Sequence, residues 1–299
     1  MGNVFVVGSI NQDYVLVVDR RPEAGETVTG ATLVTRCGGK GANQAAAAAS
    51  GGARTTILAR VGMDGAAEAQ RNDLAMRGVD VSLVIATADV ATGVAFVAVT
   101  PDGESSVVVA PGANGLLGGR DVRAVAERIA ESAVLVIQLE IPIDTVMAAV
   151  DCCGPDTHVL LNAAPYVGLP DSLLRRIDTL VVNEHEAVSF VDPQRGGVPH
   201  TEQIAGAILE HGPRNAVVTM GGKGAVVAGP DGSVHVPAPR VPVVDSTGAG
   251  DVFVGTLAAL LADHQPLHQA VMIAVERASS SVGFVGARLP VATEPGSIS

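Results

Sequence analysis

Two aspartates bracket a run of small residues late in the chain, Asp245-Ser-Thr-Gly-Ala-Gly-Asp251. The run follows a β-like stretch, Val241-Pro-Val-Val244, and opens an apolar helical segment from Val252 to Leu261. Gly248 and Gly250 leave the backbone of this turn uncovered. Bare amides at a helix N-terminus attract an anion, because the orphan donors and the helix dipole both point there. A carboxylate beside such a hole, at Asp251, suits a reaction in which a hydroxyl loses its proton while a phosphoryl group arrives. A helix capped by Asp or Ser after a glycine turn would carry the same residues, so the run alone does not decide.

A second run, Gly38-Gly-Lys-Gly-Ala-Asn-Gln-Ala45, leads into an alanine-rich helix through Ser50. Together with Gly8-Ser-Ile-Asn-Gln-Asp13 it resembles the sugar-binding signatures of the ribokinase-like sugar-kinase family, and residues 245–251 resemble that family's catalytic signature. The resemblance continues in order through Gln138-Leu-Glu140, Asn162-Ala-Ala-Pro165, Asn183-Glu-His-Glu186 and Thr219-Met-Gly-Gly-Lys-Gly224. It implies an α/β fold of three layers, with a mostly parallel central sheet and a small β-sheet lid. The activity it implies is ATP-dependent phosphorylation of D-ribose at O5. Deoxyribose, fructose or adenosine remain alternative acceptors, and a catalytically silent sugar-binding sensor is a further alternative.

A polyol is gripped through its hydroxyls, which calls for carboxylates, amides and a lysine rather than an apolar pocket. The resemblance assigns that grip to Asn11, Asp13, Gly39, Lys40, Asn43 and Glu140. Singly, Asn43 also suits a buried helix amide and Glu140 a helix cap before Pro142. Asp251 is the implied general base, with the amides of Gly248, Ala249 and Gly250 holding the growing charge. The only two lysines, Lys40 and Lys223, both lie in a Gly-Gly-Lys-Gly tetrad. A genome that replaced surface lysine with arginine would leave two by chance; a thin ammonium beside open backbone is the functional reading.

No G-x-x-x-x-G-K-[ST] run is present, and the third glycine of a dinucleotide fingerprint after Gly248 and Gly250 is replaced by Phe253,. The resemblance instead lays ATP along Thr219, Gly221, Gly222 and Gly224 and onto Gly248 and Gly250, with Asn183 nearby. Glu186 would organise a hydrated Mg²⁺ through water, although acids in the first turn of a helix are also favoured by the dipole alone. Asp245 and Thr247, with carbonyls near Ser281, Phe284 and Gly286, would hold K⁺. Ser246 stands where the family usually has Thr. Pro290 stands where some members offer a serine hydroxyl, which weakens that site.

The 299 residues suffice for one large α/β domain or two smaller ones,. A net charge of -12 argues against a nucleic-acid surface,. No apolar run reaches transmembrane length and residues 1–10 read as a strand, so a cytoplasmic protein without membrane contact is expected. Cys37, Cys152 and Cys153 lack CxxC spacing, and Pro266 separates His264 from His268, so neither a disulfide framework nor a zinc site is expected,.

Short apolar runs at Val4–Gly8, Thr56–Val61, Val134–Leu139, His158–Asn162, Thr179–Asn183 and Ala216–Met220 read as buried parallel strands,. Helical segments at Gly41–Ser50, Ala66–Arg77, Asp121–Ala130, Ile143–Cys152, Ser172–Ile177 and Glu202–Glu210 alternate with them,. Ligands of such sheets collect beyond the carboxyl ends of the strands. Asp13–Asp19 with Glu26–Arg36, and Thr92–Val99 with Ser105–Val109, read as strands without helices between them, the latter pair joined by a turn at Thr100-Pro-Asp-Gly103,. These would form a small separate sheet over 11–35 and 91–110, leaving 1–10, 36–90 and 111–299 to the large domain. The resemblance makes the small sheet a lid over the sugar and a pairing surface for a homodimer.

Overall fold

Five-residue strands buried on both faces can only be satisfied by helices on both sides, and the chain supplies them in alternation. The computed structural model describes residues 2–100, 105–190 and 201–290. In chain order the elements begin with β1 (Asn3–Val7), β2 (Asn11–Val17), β3 (Thr32–Gly38), α1 (Lys40–Ser50), β4 (Arg54–Val61), α2 (Gly65–Met76), β5 (Val79–Asp80) and β6 (Val84–Ala86). They continue with β7 (Gly93–Val99), β8 (Ser105–Ala110), α3 (Gly119–Arg123), α4 (Ala126–Ala130), β9 (Val134–Gln138), α5 (Ile143–Asp151), β10 (His158–Asn162) and α6 (Asp171–Leu174). The last are β11 (Thr179–Asn183), α7 (Glu184–Val188), α8 (Thr201–Glu210), β12 (Asn215–Thr219), β13 (Ala225–Gly229), β14 (Gly232–Val236), α9 (Ala249–Ala262) and α10 (Leu267–Ser281).

The large sheet runs β14-β13-β12-β11-β10-β9-β1-β4-β5, with β6 also on β4. It is parallel from β12 to β4 and on to β5 and β6, and antiparallel only at the β12-β13-β14 edge. Alternate residues feed two cores: Phe5, Val7, Leu135 and Ile137 pack under α5 and α8, while Val4, Val6, Val134 and Val136 pack under α1, α9 and α10. The three-layer expectation is met. A second sheet, β3-β2-β7-β8, pairs β2 with β7 in parallel and is otherwise antiparallel. No described helix is long and apolar enough to cross a membrane.

Several boundaries differ from expectation. Val241–Val244 forms no strand, since Pro242 lacks a ladder donor. The amides of Val244 and Asp245 instead both donate to the Val282 carbonyl, at 2.8 and 3.1 Å. The expected helix over 121–130 breaks into α3 and α4, and the strand expected from Glu26 begins only at Thr32 and continues to Gly38. The expected turn at 100–103 falls, apart from Thr100, outside the described residues. The β13–β14 hairpin and α10 were not anticipated.

Helix α1 packs along α9 at Gly255, where an added Cβ would stand 2.3 Å from the Gln44 carbonyl oxygen and 2.5 Å from Ala47 Cβ. Glycine is required there by the neighbouring helix, which brings the first turns of both helices together. Gly255→Val is expected to cost about 1–3 kcal/mol in denaturant unfolding through overpacking. Wild-type stability in that variant would show that the two helices do not meet so closely.

Candidate active site

Ser9, Gln138, Asn162, Asn183 and Thr219 all end or follow parallel strands, and the N-termini of α1 and α9 open at the same edge of the sheet. Two glycines make this convergence possible. Gly39 precedes α1 with φ 90°, and a Cβ there would lie 2.6 Å from Asn11 N. Gly248 precedes α9 with φ 75°, and a Cβ there would lie 2.5 Å from Ala287 Cα. Such positive φ values exclude most side chains. No side chain caps α9, and its Ala249 amide donates to the Ser246 carbonyl at 3.3 Å; a helix start of this kind favours an anion,.

Asp251, in the first turn of α9, is buried and clamped by amides from α1. Asn43 Nδ2 donates to Oδ2 at 3.0 Å and Gln44 Nε2 donates to Oδ1 at 2.9 Å. Gln44 Nε2 also donates to Asn162 Oδ1 at 3.0 Å, and Gln44 Oε1 accepts from Gln138 Nε2 at 2.7 Å. The chain of amides orients the carboxylate, and each of its oxygens retains a lone pair for a hydroxyl.

Glu140 occupies the mouth of α1. Its Oε2 accepts from Ser9 Oγ at 2.5 Å, from Lys40 N at 3.1 Å and from Asn11 Nδ2 at 3.4 Å, so it does cap a helix, although α1 rather than the one after Pro142. Asp13 has a buried Oδ1 with no hydrogen-bond partner among the described residues. Burial pushes its carboxyl up to about 7, with Glu140 and Asp251 adding to the effect against Arg288 and Arg36,. Burial acts to lower the Lys40 pKa, but Asp251, Glu140, Glu186 and Asp13 together raise it above the ordinary value, which keeps the ammonium charged.

A cleft of about 140 Å³ continues from Asp251 and Lys40 past Gly248 and Gly250 to Asn183, Glu186 and Thr219. Asn183 and Glu186 cap one another: Asn183 N donates to Glu186 Oε2 at 2.8 Å, and Glu186 N donates to Asn183 Oδ1 at 2.9 Å,. Burial raises the Glu186 pKa against the opposing pull of the Asn183 amide and Lys40. Gly221 (φ 54°), Gly222 and Lys223 form a 3₁₀ turn after β12, closed by Gly224 (φ 100°), whose amide donates to the Gly221 carbonyl at 3.0 Å. Thr219 Oγ1 donates to the Val182 carbonyl at 3.3 Å. Lys223 is exposed, 3.4 Å from Glu184, and does not line the cleft.

The family model described as pfkB family carbohydrate kinase matches residues 1–294. The chain belongs to the pfkB family of carbohydrate kinases. It is 33% identical to the ribokinase of Haemophilus influenzae, covering 96% of this chain and 94% of that one. It is also 33% identical to the deoxyribokinase of Salmonella typhimurium, covering 94% and 92%. Against the bifunctional ribokinase/ribose-5-phosphate isomerase A of Fructilactobacillus sanfranciscensis it is 35% identical over 98% of its own length, but spans only 55% of that protein. Among solved structures it is similar to the ribokinase of Thermotoga maritima (TM-score 0.87, 30% identity, 96% and 95% covered). It is similar as well to the Arabidopsis thaliana ribokinase complexed with ribose and ATP (TM-score 0.82, 28% identity, 96% and 94% covered).

Residues with no local signal brace these candidate side chains. Buried Arg288 donates from Nε to Asn43 Oδ1 at 2.9 Å and from Nη2 to Gln70 Oε1 at 3.0 Å and the Gly38 carbonyl at 3.1 Å, and its Nη1 pairs with Asp73. Asn114 donates from Nδ2 to Asn11 Oδ1 at 2.7 Å and to the Ile10 carbonyl at 3.1 Å, and accepts from Ile10 N at 2.9 Å. Both reach partners far away in the chain, so spacing could not reveal them; Gln44 was visible only as part of the glycine motif.

Asp245, expected to hold K⁺, is already paired with a cation of the chain itself. Asp245 Oδ1 accepts from Thr247 N at 2.9 Å, while Oδ2 accepts from Gly286 N at 2.9 Å and from Arg36 Nη1 at 2.8 Å. The Ser281 carbonyl accepts from Phe284 N at 3.1 Å. Burial would raise the Asp245 pKa, but the Thr247, Gly286 and Arg36 donors outweigh it and hold the carboxyl at about 2.

Asp13 yields a pH prediction. An acid whose folded pKa is raised stabilises fully below its ordinary value near 3.8, and that contribution is lost as pH rises to about 7,. Asp13→Asn removes the loss. The Tm of the sugar-free variant minus that of wild type should therefore climb between about pH 4 and pH 7 and then level off. A flat difference would contradict the raised value.

Proposed function

We propose that the chain is an ATP-dependent kinase of D-ribose that transfers the γ-phosphoryl group to O5. The observation that carries the reading is the clamped Asp251, set between a polar grip and the uncapped start of α9. Asn11, Asp13, Gly39, Lys40, Asn43 and Glu140 surround the sugar in this reading. The orphan Asp13 Oδ1 suits a sugar hydroxyl, and Asp13, protonated below about 7, can donate as well as accept,.

Asp251 accepts the O5 proton as that oxygen attacks phosphorus, while the amides of Gly248, Ala249 and Gly250 and the Lys40 ammonium hold the charge on the transferred oxygens. Asn183, Thr219, Gly221, Gly222 and Gly224 flank the polyphosphate. Glu186 fits a hydrated Mg²⁺. It is a half-buried carboxylate in the same cleft, and no cluster of three metal-ligating side chains competes for the ion among the described residues. When bound, the ion supplies neutralisation of phosphate charge. The small sheet serves as a lid, and its exposed Val17, Leu33, Phe96 and Val107 suit pairing with a second copy. Deoxyribose is the second reading, favoured by an equal likeness to a deoxyribokinase.

The test is ADP release with ribose, 2-deoxyribose, fructose and adenosine, with Asp251→Asn alongside. Ribose should give the highest kcat/KM, and the variant should lose about 10²–10⁴-fold in kcat while still binding ribose. Preference for another acceptor would overturn the ribose assignment, and near-normal kcat in the variant would overturn the base.

A further inference from the structure

The carboxylate that a monovalent cation would need is already held by a cation of the chain itself. Arg36 Nη1 and Asp245 Oδ2 lie 2.8 Å apart, with side chains only 25% and 18% exposed. The pair spans two parts of the molecule: Arg36 lies in β3 of the small sheet, two residues before Gly38, and Asp245 precedes Asp251 by six. Around it several oxygens already accept hydrogen bonds. The Val282 carbonyl accepts two amides, the Ser281 carbonyl accepts one, and both Asp245 oxygens accept backbone donors besides the guanidinium. Gly286, at φ 100°, lies beside the guanidinium: an added Cβ would stand 4.0 Å from Nη1, in ordinary contact. A metal cation brought to this carboxylate would meet a like charge that cannot be deprotonated.

We infer that the Arg36 guanidinium is the resident cation of this turn, positioning Asp245 and the start of α9, so that phosphoryl transfer requires no monovalent metal ion. The inference rests on the kinase reading for its catalytic half, whereas cation binding can be followed without turnover.

Melting temperature and sugar-dependent ADP release would be measured in tetramethylammonium, sodium and potassium chloride at equal ionic strength. Wild type should be the same in all three. Arg36→Ala should lose about 10-fold in kcat in tetramethylammonium, with little change in sugar KM, because α9 is no longer held in register. Potassium or guanidinium ion should restore part of that loss and raise the variant's Tm, and Arg36→Lys should remain indifferent to the salt. Potassium activation or stabilisation of wild type would overturn the inference, as would Arg36→Ala with unchanged kcat in tetramethylammonium. A loss that neither ion repairs would also contradict it, marking Arg36 as a structural tie only. Should Arg36→Ala fail to fold, wild type and Arg36→Lys decide through their salt response. If no sugar is phosphorylated at all, the kinase reading fails, and the melting series still tests the cation.

Discussion

Asp251 sits buried at the start of one helix with each carboxylate oxygen held by an amide from the start of another. A buried carboxylate is expensive unless its lone pairs are met. The amides of Asn43 and Gln44 meet this demand only if α1 and α9 pack closely enough for their first turns to face one another. Gly255 permits that approach, and the glycines at 39 and 248 turn both chains into it. The clamp is itself held from behind, Gln44 by Gln138 and Asn43 by Arg288. The strands under it thus set the aim of a side chain that none of them carries.

Charge is arranged around the same point. Asp13, Glu140, Asp251 and Glu186 crowd one ammonium, Lys40, which remains protonated because they outweigh its burial. Burial, reinforced by this crowding, leaves Asp13 as the acid that gives way, its carboxyl pushed up to about 7. A site so arranged offers both donors and acceptors to a polyol and one fixed positive charge to a phosphoryl group. The family accounts for the carbohydrate kinase activity; the proposed reading gives the choice of sugar to these few polar side chains.

The parallel sheet, its covering helices and the second sheet were legible because each strand is a short apolar run and each turn at the site is marked by glycine. The residues at 11–13, 38–43, 140 and 248–251 were legible because motifs keep their members close in sequence. What escaped was set by tertiary contact. Val241–Val244 has strand-like composition but no partner strand, and Arg288 reaches Asn43 across 245 positions. Asp245 was expected to hold K⁺, whereas the charge beside it in the structure is a guanidinium. The identity of that charge was hidden, because Arg36 lies 209 residues away on the other sheet.

The dependence of the base on its clamp is tested most directly by a double-mutant cycle in kcat between Gln44→Ala and Asp251→Asn. If the amide acts through the carboxylate, Gln44→Ala should lower kcat by about 10–100-fold in the wild-type background and by less than about 3-fold once Asp251 is asparagine. Equal losses in both backgrounds would show that Gln44 and Asp251 act independently, and the account of a clamped base would fail.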